Sequence, residues 1–425
     1  MSEPRNPASK TLVLDDDPTG TQCASDVDVL LGSDALATFA RSIAPSAYLL
    51  TNTRALSREQ AINVISDIKA RVPAPTRLVL RGDSTLRGHV FAEMTAAGLE
   101  EGVGLIAPAF PAAGRVTVDG VHYLDADGER VNVADTEFAA DPVFGFTART
   151  MVEWVHELSP GRTVVSVGSD ELAATGPDAV ARALIDAPTS AVVLPDIASD
   201  DDVETVWRGY EQATRSTRPV IVRCAAPLAA SIAGTKGRLL DRVPAPASRC
   251  LVVCGSHTEA ATKQLTQLGR LTGEPVTLNT PALLSPRDAP DAVQEATAAT
   301  SATLETERLA VLASERLRSA SHSTLEDGAA VMAGIVSVVR NLVGQFDALV
   351  TKGGITSADV VTRGLRARRA RVMGQLEVGV PVWHVTTDHA GVPVVVVPGN
   401  VGTGVTLVNA VHFLAPELLH SVRST

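Results

Sequence analysis

Three adjacent carboxylates, Asp15, Asp16 and Asp17, follow a short apolar run (Thr11 to Leu14) and lead into Pro18, Thr19 and Gly20. At the end of a buried strand, three like charges repel one another unless they meet a cation or hydrogen-bond donors. Chemistry uses such a group to hold a hydroxyl, to take its proton or to bind Mg2+. Capping a helix needs one Asp, so three point to more than a cap.

Four further polar groups sit where apolar runs end. Arg81, Gly82, Asp83, Ser84, Thr85, Leu86, Arg87, Gly88 and His89 set two guanidiniums around an Asp-Ser-Thr cluster. An Arg fork suits a carboxylate or phosphate held by two parallel bonds, and the hydroxyls and Asp83 suit sugar hydroxyls. Pro108 to Arg115 adds another Arg after a proline-stiffened turn, and Thr51 to Arg54 ends a strand with the same chemistry. Asn132 and Asp141 read as loop residues. In the second half, Lys352-Gly353-Gly354-Ile355-Thr356-Ser357 and Pro398-Gly399-Asn400-Val401-Gly402-Thr403-Gly404 each join a strand to a helix, and Gly255-Ser256-His257-Thr258 ends another strand. Glycines at such turns let backbone N–H groups approach a phosphate. There is no GxxxxGK[ST] run, which excludes a P-loop NTPase, and no GxGxxG follows a strand.

Strand-like runs alternate with helical ones in both halves, which predicts an α/β protein of mostly parallel sheets flanked by helices, with ligands at the C-terminal strand ends. The run after Leu56 predicts a helix with Ser57 as N-cap and Gln60 completing a capping box. Residues 288–330 read as two or three helices. Two strand–loop–helix units, around 346–365 and 392–414, close the chain. The Pro-rich stretch 241–249 reads as a linker, dividing an acceptor domain (1–245) from a nucleotide-binding domain (250–425), with the active site expected in the cleft between them.

Composition agrees. The chain has 425 residues, more than the roughly 250–300 at which one core stops growing. Apolar residues make up 45 % and aromatics 3 %, so Ala, Val and Leu must build the core. A net charge of −11 disfavours nucleic acid and anionic membranes as partners. Four cysteines without a CxxC motif form no disulfide framework. Without a signal-like N-terminus or a membrane-length apolar run, a soluble, cytoplasmic protein is expected.

Taken in order, the motifs resemble the four-carbon acid sugar kinase family, and the resemblance covers nearly the whole chain: Asp16-Asp17-x-Thr19-Gly20, Asp83-Ser84-Thr85-Leu86-Arg87-Gly88, Pro108 to Arg115, Gly255-Ser256, Gly353-Gly354-x-Thr356 and Gly399-Asn400-x-Gly402. The family more often has Lys where Arg81 stands and Asn where His89 stands. The resemblance implies an N-terminal acid-sugar domain, a C-terminal ATP domain, and phosphorylation of the terminal hydroxyl of erythronate, threonate or 3-oxo-tetronate, with ATP and Mg2+. It makes Asp16, Asp17 and Asp83 the catalytic candidates. Thr19, Arg54, Arg81, Ser84, Thr85, Arg87 and Arg115 become candidates for the acceptor. Ser256, Gly353, Gly354, Thr356, Ser357, Gly399, Asn400 and Gly402 become candidates for ATP. The metal ligands and the identity of the base stay open, and a homo-oligomer is possible. Two rival readings stand beside it. Asp15-x-Asp17-x-Thr19 fits the aspartyl-phosphate pattern of haloacid-dehalogenase phosphatases, with Asp15 as nucleophile, and a non-catalytic sugar-acid sensor would bind acid without using ATP.

Overall fold

The computed structural model describes residues 10–126, 128–216, 218–243, 245–316, 324–388, 390–399 and 401–420. Its contacts fall into two units: residues up to Cys23 with Leu36–Lys236, and Ala24–Ala35 with Gly237 onward. The chain opens with β1 (Lys10–Asp15), passes through β2 (Val27–Leu30), which belongs to the second unit, and returns to the first with β3 (Ser46–Leu50). There follow β4 (Thr76–Arg81), β5 (Val103–Ala107), a small antiparallel sheet of β6 (Arg115–Val118), β7 (Val121–Ala126) and β8 (Glu129–Asn132), then β9 (Val164–Val167), β10 (Val192–Pro195) and β11 (Val220–Cys224). The main sheet of this unit runs β3–β1–β4–β11–β5–β10–β9, all parallel. Every residue of β5 and β10 is buried, as expected of strands covered by helices on both faces.

The second unit contains β12 (Cys250–Cys254), β13 (Val276–Leu278), β14 (Leu309–Ser314), β15 (Ala348–Lys352), β16 (Arg369–Glu377), β17 (Val380–Thr386) and β18 (Gly391–Val397). Five strands, β13–β14–β12–β15–β18, are parallel, and β17, β16 and β2 continue the sheet antiparallel. The winding direction reverses between β12 and β15, where open α/β sheets form their ligand crevice. Cys250 and Cys254 face the core, packed with Leu265, Val395 and Leu407.

The α/β architecture matches the sequence reading, and Ser57 and Gln60 form the expected capping box on the helix Arg58–Arg71. One stretch differs. Between the helices Ala289–Thr306 and Leu325–Asn341, the run LAVLAS is the strand β14, all six residues buried. Its Ala/Leu composition suits a helix, but its place between β13 and β12 overrides that propensity. The last two strand–loop–helix units also are not consecutive: the β16–β17 hairpin lies between them, although β15 and β18 are neighbours in the sheet.

Candidate functional sites

In the first unit the polar ends of β1, β3 and β4 open on one edge of the sheet and form a single charge network. Arg81 Nη1 lies 3.1 Å from Asp15 Oδ1, 3.4 Å from Asp16 Oδ1 and 2.8 Å from Asp17 Oδ1, and its Nη2 donates to Thr19 Oγ1 at 3.0 Å. Arg54 pairs with Asp17 and reaches Asp83 Oδ1 at 3.3 Å. Arg87 Nε donates to Asp83 Oδ2 at 2.7 Å, and Thr85 donates to the same oxygen. Thus Asp16, Asp17, Asp83, Thr19, Arg54, Arg81, Thr85 and Arg87 come together. Arg115 is buried, bonds the carbonyl of Ala113, and feels the charge of Asp83. Ser84 is buried, and its carbonyl faces His122 Nε2 at 2.8 Å. Burial pushes the His122 pKa down to about 4, so that ring is neutral. Asp141 joins through Arg87 at 3.6 Å, whereas Asn132 caps its own turn by accepting from Ala134 N–H.

Two members of this network escaped the sequence reading. Arg223, on β11, bridges Asp16 Oδ2 at 3.1 Å and Glu93 on the helix Val90–Ala97. The glycines of the Arg81–Gly88 run make room for it: a Cβ on Gly82 would lie 2.3 Å from Arg223 Nε, and one on Gly88 2.9 Å from its Nη2.

The electrostatics separate the carboxylates. Burial works against the charge of Asp83, but Arg87, Arg54 and the Thr85 hydroxyl outweigh it and hold that carboxyl well below the usual range. Asp15 is 1 % exposed beneath Gly20, whose Cβ would collide with it at 2.0 Å. Burial pushes Asp15 up to about 7 despite the attraction of Arg81. An acid raised in the folded state binds more protons there than in the unfolded chain, so its contribution to stability is present at low pH and lost as pH rises through about 7. Asp15→Asn, which keeps an oxygen for Arg81, is therefore expected to become progressively more stable than the wild type between pH 4 and 8. The gain is about 4 kcal/mol at most, a tenfold change in proton affinity being worth about 1.4 kcal/mol. Urea melts of both proteins across that range check it; a difference independent of pH would contradict the assignment.

The three adjacent Asp residues are the one carboxylate group among the described residues close enough to share a metal ion. They do not suit one here, because the Arg81 guanidinium already stands among their oxygens.

In the second unit the loops after β12, β15 and β18 converge. A Cβ on Gly255 would lie 2.4 Å from Thr356 Oγ1, one on Gly353 3.0 Å from Ser256 Cβ, and one on Gly399 3.0 Å from Ser256 Oγ. Gly353 also has φ +111°, a conformation that side chains rarely adopt. Gly354 opens the short helix Gly354–Asp359. Gly402 packs on Thr406, whose hydroxyl accepts from Thr403 N–H at 2.9 Å and donates to Glu377 at 2.8 Å. Asn400 lies outside the described residues. Ser357 is fully buried and bonds Thr351 and the Gly353 carbonyl, both at 2.7 Å, so its hydroxyl serves the turn. Arg316, just past β14, was not anticipated; it donates to the carbonyl of Ser256 and to Thr262 Oγ1 at 3.2 Å.

A family model described as a sugar-binding N-terminal domain matches residues 11–232, and one described as a nucleotide-binding C-terminal domain matches residues 251–407. The chain belongs to the four-carbon acid sugar kinase family. Among curated relatives of this kinase-family chain, a D-threonate kinase of Bordetella bronchiseptica is 29 % identical over 374 residues, covering 85 % of this chain and 84 % of its own length. A D-threonate kinase of Salmonella typhimurium is 28 % identical over 221 residues, covering 51 % and 49 %. A solved Salmonella typhimurium LT2 structure superposes with a TM-score of 0.66 at 18 % identity over 94 % of this chain and 98 % of its own. A Haemophilus influenzae structure superposes with a TM-score of 0.60 at 16 % identity, covering 96 % and 99 %. These two structures bear on the fold. Among the described residues no helix is long and apolar enough to cross a membrane.

Proposed function

We propose that this protein transfers the terminal phosphoryl group of ATP to the terminal hydroxyl of a four-carbon sugar acid, threonate being the first acceptor to test. The observation that carries the reading is the pairing of two unlike sites on one chain: a buried Asp/Arg network in the part matched as sugar-binding, and converging glycine loops in the part matched as nucleotide-binding. Phosphoryl transfer asks chiefly for positioning and charge neutralisation, and both sites are built for that. Mg2+ would be carried by the nucleotide phosphates, since the oxygens of the three aspartates are occupied by Arg81.

Within this reading the four network arginines have different tasks. Side-chain exposure is 3 % for Arg81, 5 % for Arg223, 10 % for Arg54 and 21 % for Arg87. Arg81 holds the acidic loop, and Arg87, the most open fork, receives the acceptor's carboxylate, assisted by Arg54. Asp16 takes the hydroxyl proton, and Asp83 and Asp17 organise the acceptor. Asp15 and Asp16 are both 1 % exposed, but only Asp15 has Gly20 packed directly against its carboxylate, at 2.0 Å from the glycine's Cβ position, which leaves no room for the phosphate that the phosphatase reading needs there.

Arg87→Lys keeps the charge but loses the planar fork. It is expected to raise the acceptor's KM about tenfold and to leave the KM for ATP within about twofold of the wild type. Steady-state kinetics with each substrate varied decides; an effect confined to ATP moves Arg87 to the phosphate side. The function itself is tested by ATP consumption across a panel of four-carbon sugar acids, with the phosphorylated position of the product determined. Binding of an acid without ATP turnover would favour a sensor, and hydrolysis of a phosphate ester without ATP a phosphatase.

A further inference from the structure

The loop after β18 is built with its carbonyls turned inward. Thr258 Oγ1 donates to Gly399 O at 2.6 Å and Gln264 Nε2 to Val401 O at 3.2 Å. Lys352 Nζ donates to Pro398 O at 2.6 Å and to Val401 O at 3.3 Å. In a trans peptide the N–H points opposite the preceding carbonyl, so the Gly399 and Gly402 N–H groups face away from this inner scaffold.

Lys352 is 0 % exposed, with Cys254 beside it in register on β12 and Val397 on β18. A buried ammonium ordinarily pairs with a carboxylate. Here its polar partners are carbonyls, and the ionisable groups acting on it are the Cys254 thiol and Arg316. Among the described residues the other packed elements bring no carboxylate to it: Asp359 pairs with Arg363, Glu259 pairs with Lys263, and the helix Thr406–Leu414 brings only the exposed His412. Burial pushes the amine down to about 7, with Cys254 opposing and Arg316 adding to the effect. Among the described residues an ammonium in this position has no counter-charge, and a phosphate chain at the glycine loops supplies one.

We propose that Lys352 is the positioning residue of the nucleotide loop: it holds the Pro398 and Val401 carbonyls and provides the buried positive charge that a bound phosphate balances, so nucleotide binding is coupled to proton uptake by this amine. The inference rests on the reading of the second unit as the ATP site. A nearby anion raises an amine's pKa. The wild type is therefore expected to take up protons on binding near pH 7.5 and to lose affinity as pH rises from 6.5 to 9.

The test is calorimetry on the full chain with a non-hydrolysable ATP analogue and saturating Mg2+, in buffers of different ionisation enthalpy. Lys352→Met and Lys352→Gln are run beside the wild type, which cancels the nucleotide's own titration; Gln keeps a donor for the carbonyls without the charge. Both variants are expected to bind about tenfold more weakly at pH 6.5, to approach the wild type at pH 9, to show no amine-linked proton uptake, and to keep the acceptor's KM. No proton uptake by the wild type, or an unchanged pH slope in either variant, overturns the inference; the wild-type measurement decides even where Met unfolds the chain. A wild type that binds no nucleotide at any pH overturns the underlying reading instead, and is recognised by the absence of any signal.

Discussion

Asp16→Asn is expected to lower turnover by ~100-fold or more, the low end for removal of a general base, while affinity for a non-hydrolysable ATP analogue stays within about twofold. The choice among the carboxylates follows from their surroundings. Asp17 Oδ1 accepts from Thr19 N–H and Arg81, both at 2.8 Å, and its other oxygen pairs with Arg54. Asp83 is held well below the usual carboxylate range, which makes it a poor proton acceptor. Asp15 lies beneath Gly20. Asp16 Oδ1 has only longer contacts, 3.4 Å to Arg81 and 3.9 Å to Arg54, while Oδ2 is fixed by Arg223 at 3.1 Å. One oxygen is anchored and the other loosely held, as a base that must exchange partners requires. Asp83→Asn should act chiefly on the acceptor's KM. Near-normal turnover in Asp16→Asn with a collapse in Asp83→Asn would transfer the base to Asp83.

The residues of the two sites were legible where a motif marks a strand end. In a parallel sheet every such end opens on the same edge, so Asp16, Arg54, Arg81 and Asp83 meet although they span nearly 70 positions of sequence. The glycine loops were found for the same reason. Arg223 and Glu93 were not, because each is a lone charge inside an apolar strand or helix; the available signal was a charge where the periodicity calls for an apolar side chain. In the sequence Lys352 stands only at the head of a glycine loop, and its burial and its bonds to the Pro398 and Val401 carbonyls give it a role. Strand β2 shows a different limit. It pairs with β16 more than 340 positions away, joined by Asp28 to Arg369 and Arg371, and a four-residue run carries no trace of so remote a partner. A fragment starting at Ser248 would leave that edge of β16 unpaired.

Arg223→Met should destabilise the protein by about 3–5 kcal/mol at neutral pH, the usual cost of removing one partner from a buried ion pair. Asp16 and Glu93 would be left charged and out of water, and Glu93 Oε1 already lacks a hydrogen-bond partner. Glu93→Gln added to Arg223→Met should recover part of the loss, since it removes one of the two stranded charges. Gly82→Ala tests the same arrangement without touching a charge: its Cβ would lie 2.3 Å from Arg223 Nε, driving the guanidinium from Asp16 and lowering both stability and turnover. Urea melts at pH 7.5 on the three variants measure these terms. A loss under about 1 kcal/mol in Arg223→Met, the range of an exposed pair, or a double variant no more stable than the single one, would mean that Arg223 does not hold the acidic loop. Recovery by Glu93→Gln together with lost turnover would instead separate the two tasks of Arg223, keeping the fold neutral within and keeping Asp16 aimed.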